Sequence, residues 1–224
     1  MLQKQIEGWT DRHPYSFIAE DHPEMGKKLI KLRVDWKIPN LINAGVGAII
    51  GSLRSSLDLL ASALATRNGV QPNADCHFPL YASLQDFIDP LNAAKRKKWL
   101  RESERIGLER LRPYRGGDDQ LFALHHLDIT RKHMRLIKVD SALAMVSVSA
   151  AARAQGLEFP AQWPGFKDGA VVAWTNINAT ECDFQITHNI AFSESDTALR
   201  GPVLPALRDL AKLAWFVVSN FDDT

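Results

Sequence analysis

The chain has 224 residues, 46% of them hydrophobic and 24% charged, which is enough for one sizeable core and for one or two domains. Its 27 Lys and Arg against 26 Asp and Glu leave a formal net charge of +1, so no global field draws it to nucleic acid or to an anionic membrane. The opening MLQKQIEGWTDRHPYSF lacks an apolar leader, and no run reaches the roughly eighteen apolar residues of a membrane span, so a soluble, cytoplasmic protein is expected.

In chain order, Tyr15 to Glu20 reads as a strand, followed by a turn at DHPEMG with Pro23 and Gly26. From Lys28 to Lys37, Ile30, Leu32, Val34 and Trp36 alternate with Lys31, Arg33 and Asp35, the pattern of a strand with one buried face. The two form an N-terminal hairpin. After Pro39 and Asn40, Val46, Ile49, Ile50, Leu53, Leu57, Leu60 and Leu64 recur at helical spacing until Asn68-Gly69 ends a long helix, near 41–67. Gly45 and Gly47 near its start each cost about 1 kcal/mol of helix stability relative to Ala, so they imply close approach by another backbone or a late helix start.

Residues 70–90 read as a connection containing CHFPL and a helical turn at SLQDFI. A polar helix is expected from about Asn92 to Leu111, and Gly116-Gly117-Asp118 then breaks the chain before a helix capped by Asp118 or Asp119. Leu143 to Ala150, Ala170 to Asn176 and Asp183 to Phe192 read as strands, the last with Phe184, Ile186, His188, Ile190 and Phe192 on one face. Between the first two lies a Gly- and Pro-rich loop carrying Trp163 and Phe166. Pro202 opens a final helix with an apolar stripe of Val203, Leu207, Leu210, Ala214, Val217 and Phe221. Separate blocks of strands and helices predict an α+β fold, one domain over 1–224, with an antiparallel sheet packed against several helices.

Chemistry concentrates in Leu121 to Ile137, LFALHHLDITRKHMRLI. His126 and His133 lie seven residues apart, roughly 10 Å along a helix, too far for one metal ion to bind both. His125, Asp128, Ile129 and Lys132 share another face, where Asp128 can accept from His125 and pair with Lys132. Arg131, Lys132, His133 and Arg135 gather near the helix C-terminus, a placement that the macrodipole alone favours. An ion-pair ladder on a solvated helix face explains this pattern as well as a binding pocket does.

In the long helix, Arg54 and Asp58 stand four apart beside the apolar stripe, with Ser55, Ser56 and Ser62 nearby. They are expected to form an intrahelical pair at the core edge or to face the histidine helix across a cleft. The basic run Lys95 to Lys98 precedes Trp99 and Arg101, a pattern that can serve a nucleic-acid backbone, but Glu102, Glu104 and Glu109 follow closely and favour a solvated face. His188 reads as a hydrogen-bonded core-edge histidine. Cys76 and Cys182 form no zinc or CxxC pattern and are expected as free, buried or half-buried thiols. No GxSxG elbow, Walker loop or dinucleotide fingerprint is present, so no cofactor and no metal are expected.

The segments LRSSLDLLASAL, CHFPL and LRPYRGGDDQLFALHHLDITRKHMRL, with the terminal stripe, resemble a group of uncharacterised bacterial proteins marked by LRSxLDxLA and LxxLDxxxKHRxL helices. The resemblance implies a bacterial protein without an established activity and points to Arg54, Asp58, Asp128, Lys132 and His133. This chain departs from it at Leu59 and Met134, where the group often has His and Arg. The paired polar helices resemble, more distantly, the HEPN class of RNA-cleaving or nucleotide-binding domains, but the arginine that class places four to six residues before a histidine is missing.

The sequence therefore predicts a cytoplasmic bacterial protein that binds a small ligand or a protein partner. Its site would lie where the Arg54/Asp58 helix meets a helix carrying His125, Asp128, Arg131, Lys132 and His133. Two alternatives stand beside it. One is a metal-independent ribonuclease using His133 or His126 with Arg131, Lys132 and Arg135 on phosphate, and the other is a homodimer through the C-terminal helix.

Overall fold

The structure, a computed structural model, describes residues 1–73, 76–133, 136–180, 182–193, 199 and 201–222. It is α+β with antiparallel sheets, and where the sequence suggests one domain the chain clusters into two compact units. One comprises Met1–Ile42 with Val139–Ser193, the other Asn43–Lys138 with Glu194–Thr224.

The first unit holds the strands. β1 (Tyr15–His22) and β2 (Lys27–Val34) form the expected hairpin, closed by a 3-10 turn at Pro23–Met25 and by Gly26, whose φ of +61° disfavours any residue with a side chain. The alternation in β2 has its expected consequence, since Ile30 and Leu32 are 2% and 1% exposed. Each such burial contributes about 1.5–3 kcal/mol. β4 (Val171–Asn176) adds antiparallel to β2, while among the described residues β3 (Val139–Val148) and β5 (Phe184–Phe192) pair only with each other.

The later strands therefore do not all join the hairpin's sheet, as the sequence had suggested. A period of two reports which face of a strand is buried, and it says nothing about the strand's neighbour. Both sheets contribute to one apolar cluster, where Val148, Phe184 and Ile186 pack against Ile30, Leu32, Val172 and Leu157. Two short helices also belong to this unit. α1 (Leu2–Thr10), which the spacing does not predict, buries Leu2 and Trp9, and α7 (Ala150–Ala154) starts from a Ser149 side-chain cap at the end of the expected strand and runs into the expected loop.

The second unit is helical: α2 (Asn40–Arg67), α3 (Leu84–Ile88), α4 (Pro90–Lys97), α5 (Glu102–Leu111), α6 (Asp119–His133) and α8 (Val203–Asp222). α2 buries Val46, Ile50, Leu57 and Leu64, α6 buries Leu121, Leu124 and Leu127, and α8 buries its whole expected stripe. α2 is nevertheless long and apolar enough to cross a membrane by length and composition, which corrects the expectation that no segment is. Its Ile, Leu, Val and Ala give a high mean hydropathy although interspersed Gly, Ser and charged residues break the apolar run. About the middle of α2, Arg54 and Asp58 pair with each other, and the helix side bearing Val46, Ile50 and Leu57 packs as core.

The single polar helix expected over 92–111 is two helices. Glu104 is the reason, because its carboxylate turns back to accept from the Arg101 backbone N–H at 2.8 Å and caps α5. Glu104 is 0% exposed, not part of a solvated face, and also accepts from Arg67 and Asn68, each at 2.7 Å. Burial alone would raise its pKa, but these donors and the Arg67 charge outweigh that and hold it below the usual carboxylate value.

Candidate functional site

The candidate site forms within the helical unit, from α2, the CHFPL segment, α4 and α6. Each reaches it for a local reason. Asp118 caps α6 by accepting from the Gln120 and Leu121 N–H groups, which fixes the phase of that helix. Burial of Leu121, Leu124 and Leu127 then turns His125, Asp128 and Lys132 to the flank of the buried stripe. On α2 the buried Ile50, Leu57 and Leu64 leave Arg54 and Asp58 one turn apart on the adjacent side.

Arg54, 5% exposed, donates through Nη1 to Asp58 Oδ1 at 2.6 Å and through Nη2 to the Phe78 carbonyl at 3.1 Å. Asp58 Oδ1 in turn accepts from the Phe78 N–H at 3.0 Å, and His77 Nδ1 lies 3.7 Å away. The intrahelical pair thus grips both backbone polar groups of Phe78 and fixes the CHFPL segment against α2. The Cys76 thiol just before it is free and buried, and Cys182 is free and half-buried.

Across from this pair, Asp128 is 3% exposed and carries two cations, Arg131 at 2.8 Å and Lys132 at 2.7 Å. Burial would raise its pKa, but hydrogen bonds from Lys132 and Arg131 overcome that and lower it. His125 makes no hydrogen bond to Asp128 among the described residues, contrary to the expected pairing, because the two basic side chains already occupy the carboxylate. Burial, followed by the nearby Arg54 charge, pushes the His125 pKa down to about 4, so its imidazole is neutral at physiological pH.

Arg131 leaves the pocket. Its side chain lies over Gly47 and Gly51 of α2, where an added Cβ would stand 3.2 Å and 2.6 Å from it. Gly47 therefore marks a close approach by a side chain, not by the backbone that was expected, and Gly51 does the same.

Together these groups line a pocket of about 410 Å³, within the range of small-molecule sites. Arg54, Asp58, His125, Asp128, Lys132 and His133 all line it, with Phe78, Pro79, Tyr81, Trp99 and Ile129 as its less polar wall. His126 is not among the lining residues and stacks on Phe122 at 6.3 Å. Arg135 and Met134 lie outside the described residues. Among the described residues no cluster of three His, Cys, Asp or Glu has the proximity to hold a metal ion.

Sequence reasoning missed Arg96. It reads as one charge of a solvated basic run, yet it is 8% exposed, lines the pocket, and donates to Tyr81 Oη and the Phe87 carbonyl, each at 2.8 Å. The aromatic neighbours at positions 81, 87 and 99 were the available signal, since a guanidinium between aromatic rings can be buried where an ammonium is not. His188, in the other unit, meets Trp9, Tyr15 and Phe166, and among the described residues its buried Nε2 has no hydrogen-bond partner, contrary to the expected bonding. Comparison of the chain with protein-family models, curated proteins and solved structures finds no match.

Proposed function

We propose that the chain is a small-ligand-binding protein of the bacterial cytoplasm, holding its ligand in the pocket between α2 and α6 without catalysing a reaction of its own. The observation that carries this reading is the convergence of Arg54, Asp58, His125 and Asp128 on one pocket of about 410 Å³. These groups come from two helices 60 and more residues apart, and local helix stability does not require them to meet. The free thiols fit a reducing compartment, and the bacterial assignment rests on the motif resemblance.

Binding is favoured over ribonuclease chemistry by the state of the histidines. A general base works best with a pKa near the working pH, and His125, at about 4, takes up protons poorly there. His126 stacks away from the pocket and His133 stands exposed at its rim. The alternative of a homodimer through α8 is not favoured by its apolar stripe, which is buried within the chain, although Trp215 and Phe216 of that helix are exposed.

Native mass spectrometry of protein purified without added ligand tests the proposal. The expected result is a bound small molecule that is lost in His125→Asn and Lys132→Ala proteins of unchanged fold. A small molecule retained by both variants, or a dimer free of any, opposes it.

A further inference from the structure

Among the described residues, the Arg, Lys and Asp side chains that line the pocket have ion-pair partners except at two positions. Arg54 is matched by Asp58, and Asp128 is matched by Arg131 and Lys132. Lys95 and Arg96 remain, and among the described residues neither has a carboxylate within ion-pair distance. Lys95 is exposed to water, which stabilises its charge.

Arg96 is different because it is 8% exposed. Its hydrogen-bond partners, a phenol oxygen and a backbone carbonyl, carry no net charge, and its guanidinium carbon lies 4.5 Å from the centre of the Phe87 ring and 5.3 Å from that of Tyr81. The two hydrogen bonds use two of the five N–H donors of an arginine. A desolvated cation with spare donors, placed in the wall of an open pocket, is stabilised by whatever anion enters.

Resting on the reading of this pocket as a ligand site, we infer that its ligand is a small organic anion, with phosphate or carboxylate oxygens on Arg96 and an apolar body against Pro79, Leu80 and Ile129. Phosphate and carboxylate share the planar two-oxygen edge that a guanidinium fork recognises. The paired acids Asp58 and Asp128 do not repel such a ligand strongly, since each is already neutralised by a neighbouring cation. The apolar wall makes an organic anion fit better than a bare inorganic ion.

Titration calorimetry and thermal shift with phenyl phosphate, benzoate, benzamide and inorganic phosphate test this on the whole chain. Benzamide has the shape of benzoate without its charge. The inference predicts that phenyl phosphate or benzoate binds at least about tenfold more tightly than benzamide and than inorganic phosphate, the size expected of one charge-assisted contact. Whichever of the two binds better identifies the head group. Arg96→Gln is expected to abolish the preference over benzamide, whereas Arg96→Lys, which keeps the charge, retains part of it.

Equal binding of benzoate and benzamide at the pocket, or an unchanged preference in folded Arg96→Gln or a lost one in Arg96→Lys, overturns the anion inference and leaves the pocket as a ligand site. If none of the four compounds perturbs pocket residues, while neutral polar compounds do, the same conclusion follows. If no compound of either kind perturbs them, both readings fall.

Discussion

The guanidinium of Arg131 occupies the space that a side chain on Gly51 would need: an added Cβ would stand 2.6 Å from Nη2 and 2.7 Å from Cζ. Because the same guanidinium holds Asp128 at 2.8 Å, the glycine on α2 and the acid on α6 are linked through one side chain. Gly51→Ala should therefore destabilise the protein by up to about 1 kcal/mol, because the end of Arg131 must swing off Asp128 while Lys132 keeps its hold on that carboxylate. In an Arg131→Ala background the same change should stabilise by up to about 1 kcal/mol, since only the helix propensity of Ala remains. A double-mutant cycle measured by urea unfolding checks the reversal of sign.

His125 predicts a pH effect. Its folded pKa, at about 4, lies below the ordinary 6.5, so as pH falls from 6.5 towards 4 the unfolded chain binds a proton that the folded chain does not. Stability from this group is complete above pH 6.5, declines through that window and levels off below it. After discounting for residual solvent screening, the loss is about 2 kcal/mol. The stability difference between the parent protein and His125→Asn should change by this amount across the range, since His188, also lowered by burial, acts equally in both.

The grip of Arg54 on Asp58 and Phe78 predicts a structural cost separate from binding. Arg54→Ala removes the cation from Asp58, which keeps the Phe78 N–H, and the donor from the Phe78 carbonyl, and should cost about 2–4 kcal/mol. The loss should appear as reduced hydrogen-exchange protection at the Phe78 amide as well as in the unfolding midpoint. Unchanged protection there would separate the pair from the CHFPL segment.

Glu104 predicts a similar loss at a position outside the pocket lining. Glu104→Gln should cost about 1–3 kcal/mol by weakening the contacts to Arg67, Asn68 and the Arg101 amide. With its folded pKa lowered, the carboxylate stabilises the fold above the ordinary value of 4.5, and the contribution is lost on acidification through the folded pKa. The stability gap between parent and variant should therefore close in acid.

The elements with one long apolar period were legible. The stripes of α2, α6 and α8, the Asp118 cap and the alternation of β2 and β5 each follow from spacing alone. The same spacing put Arg54 and Asp58 on one face and Asp128 and Lys132 on another, so most of the pocket's charged groups could be named in advance. Illegible were the interactions between elements: β3 pairing with β5, Arg131 crossing to Gly51, and the Phe78 backbone as the partner of Arg54 and Asp58. Arg96 and Glu104 were misread for a common reason. A charged residue in a charged run looks solvated until tertiary packing gives it partners, here aromatic rings for one and Arg67 with Asn68 for the other.

The most direct test of the pocket as a ligand site is the side-chain nitrogen resonances of His125, followed by NMR during titration with a panel of small polar and anionic molecules. Saturable movement of the His125 signals, with those of His188 in the other unit unmoved, is the predicted result. Binding that shifts His188 and leaves His125 unchanged, or a folded protein in which nothing in the panel moves His125, would contradict the account.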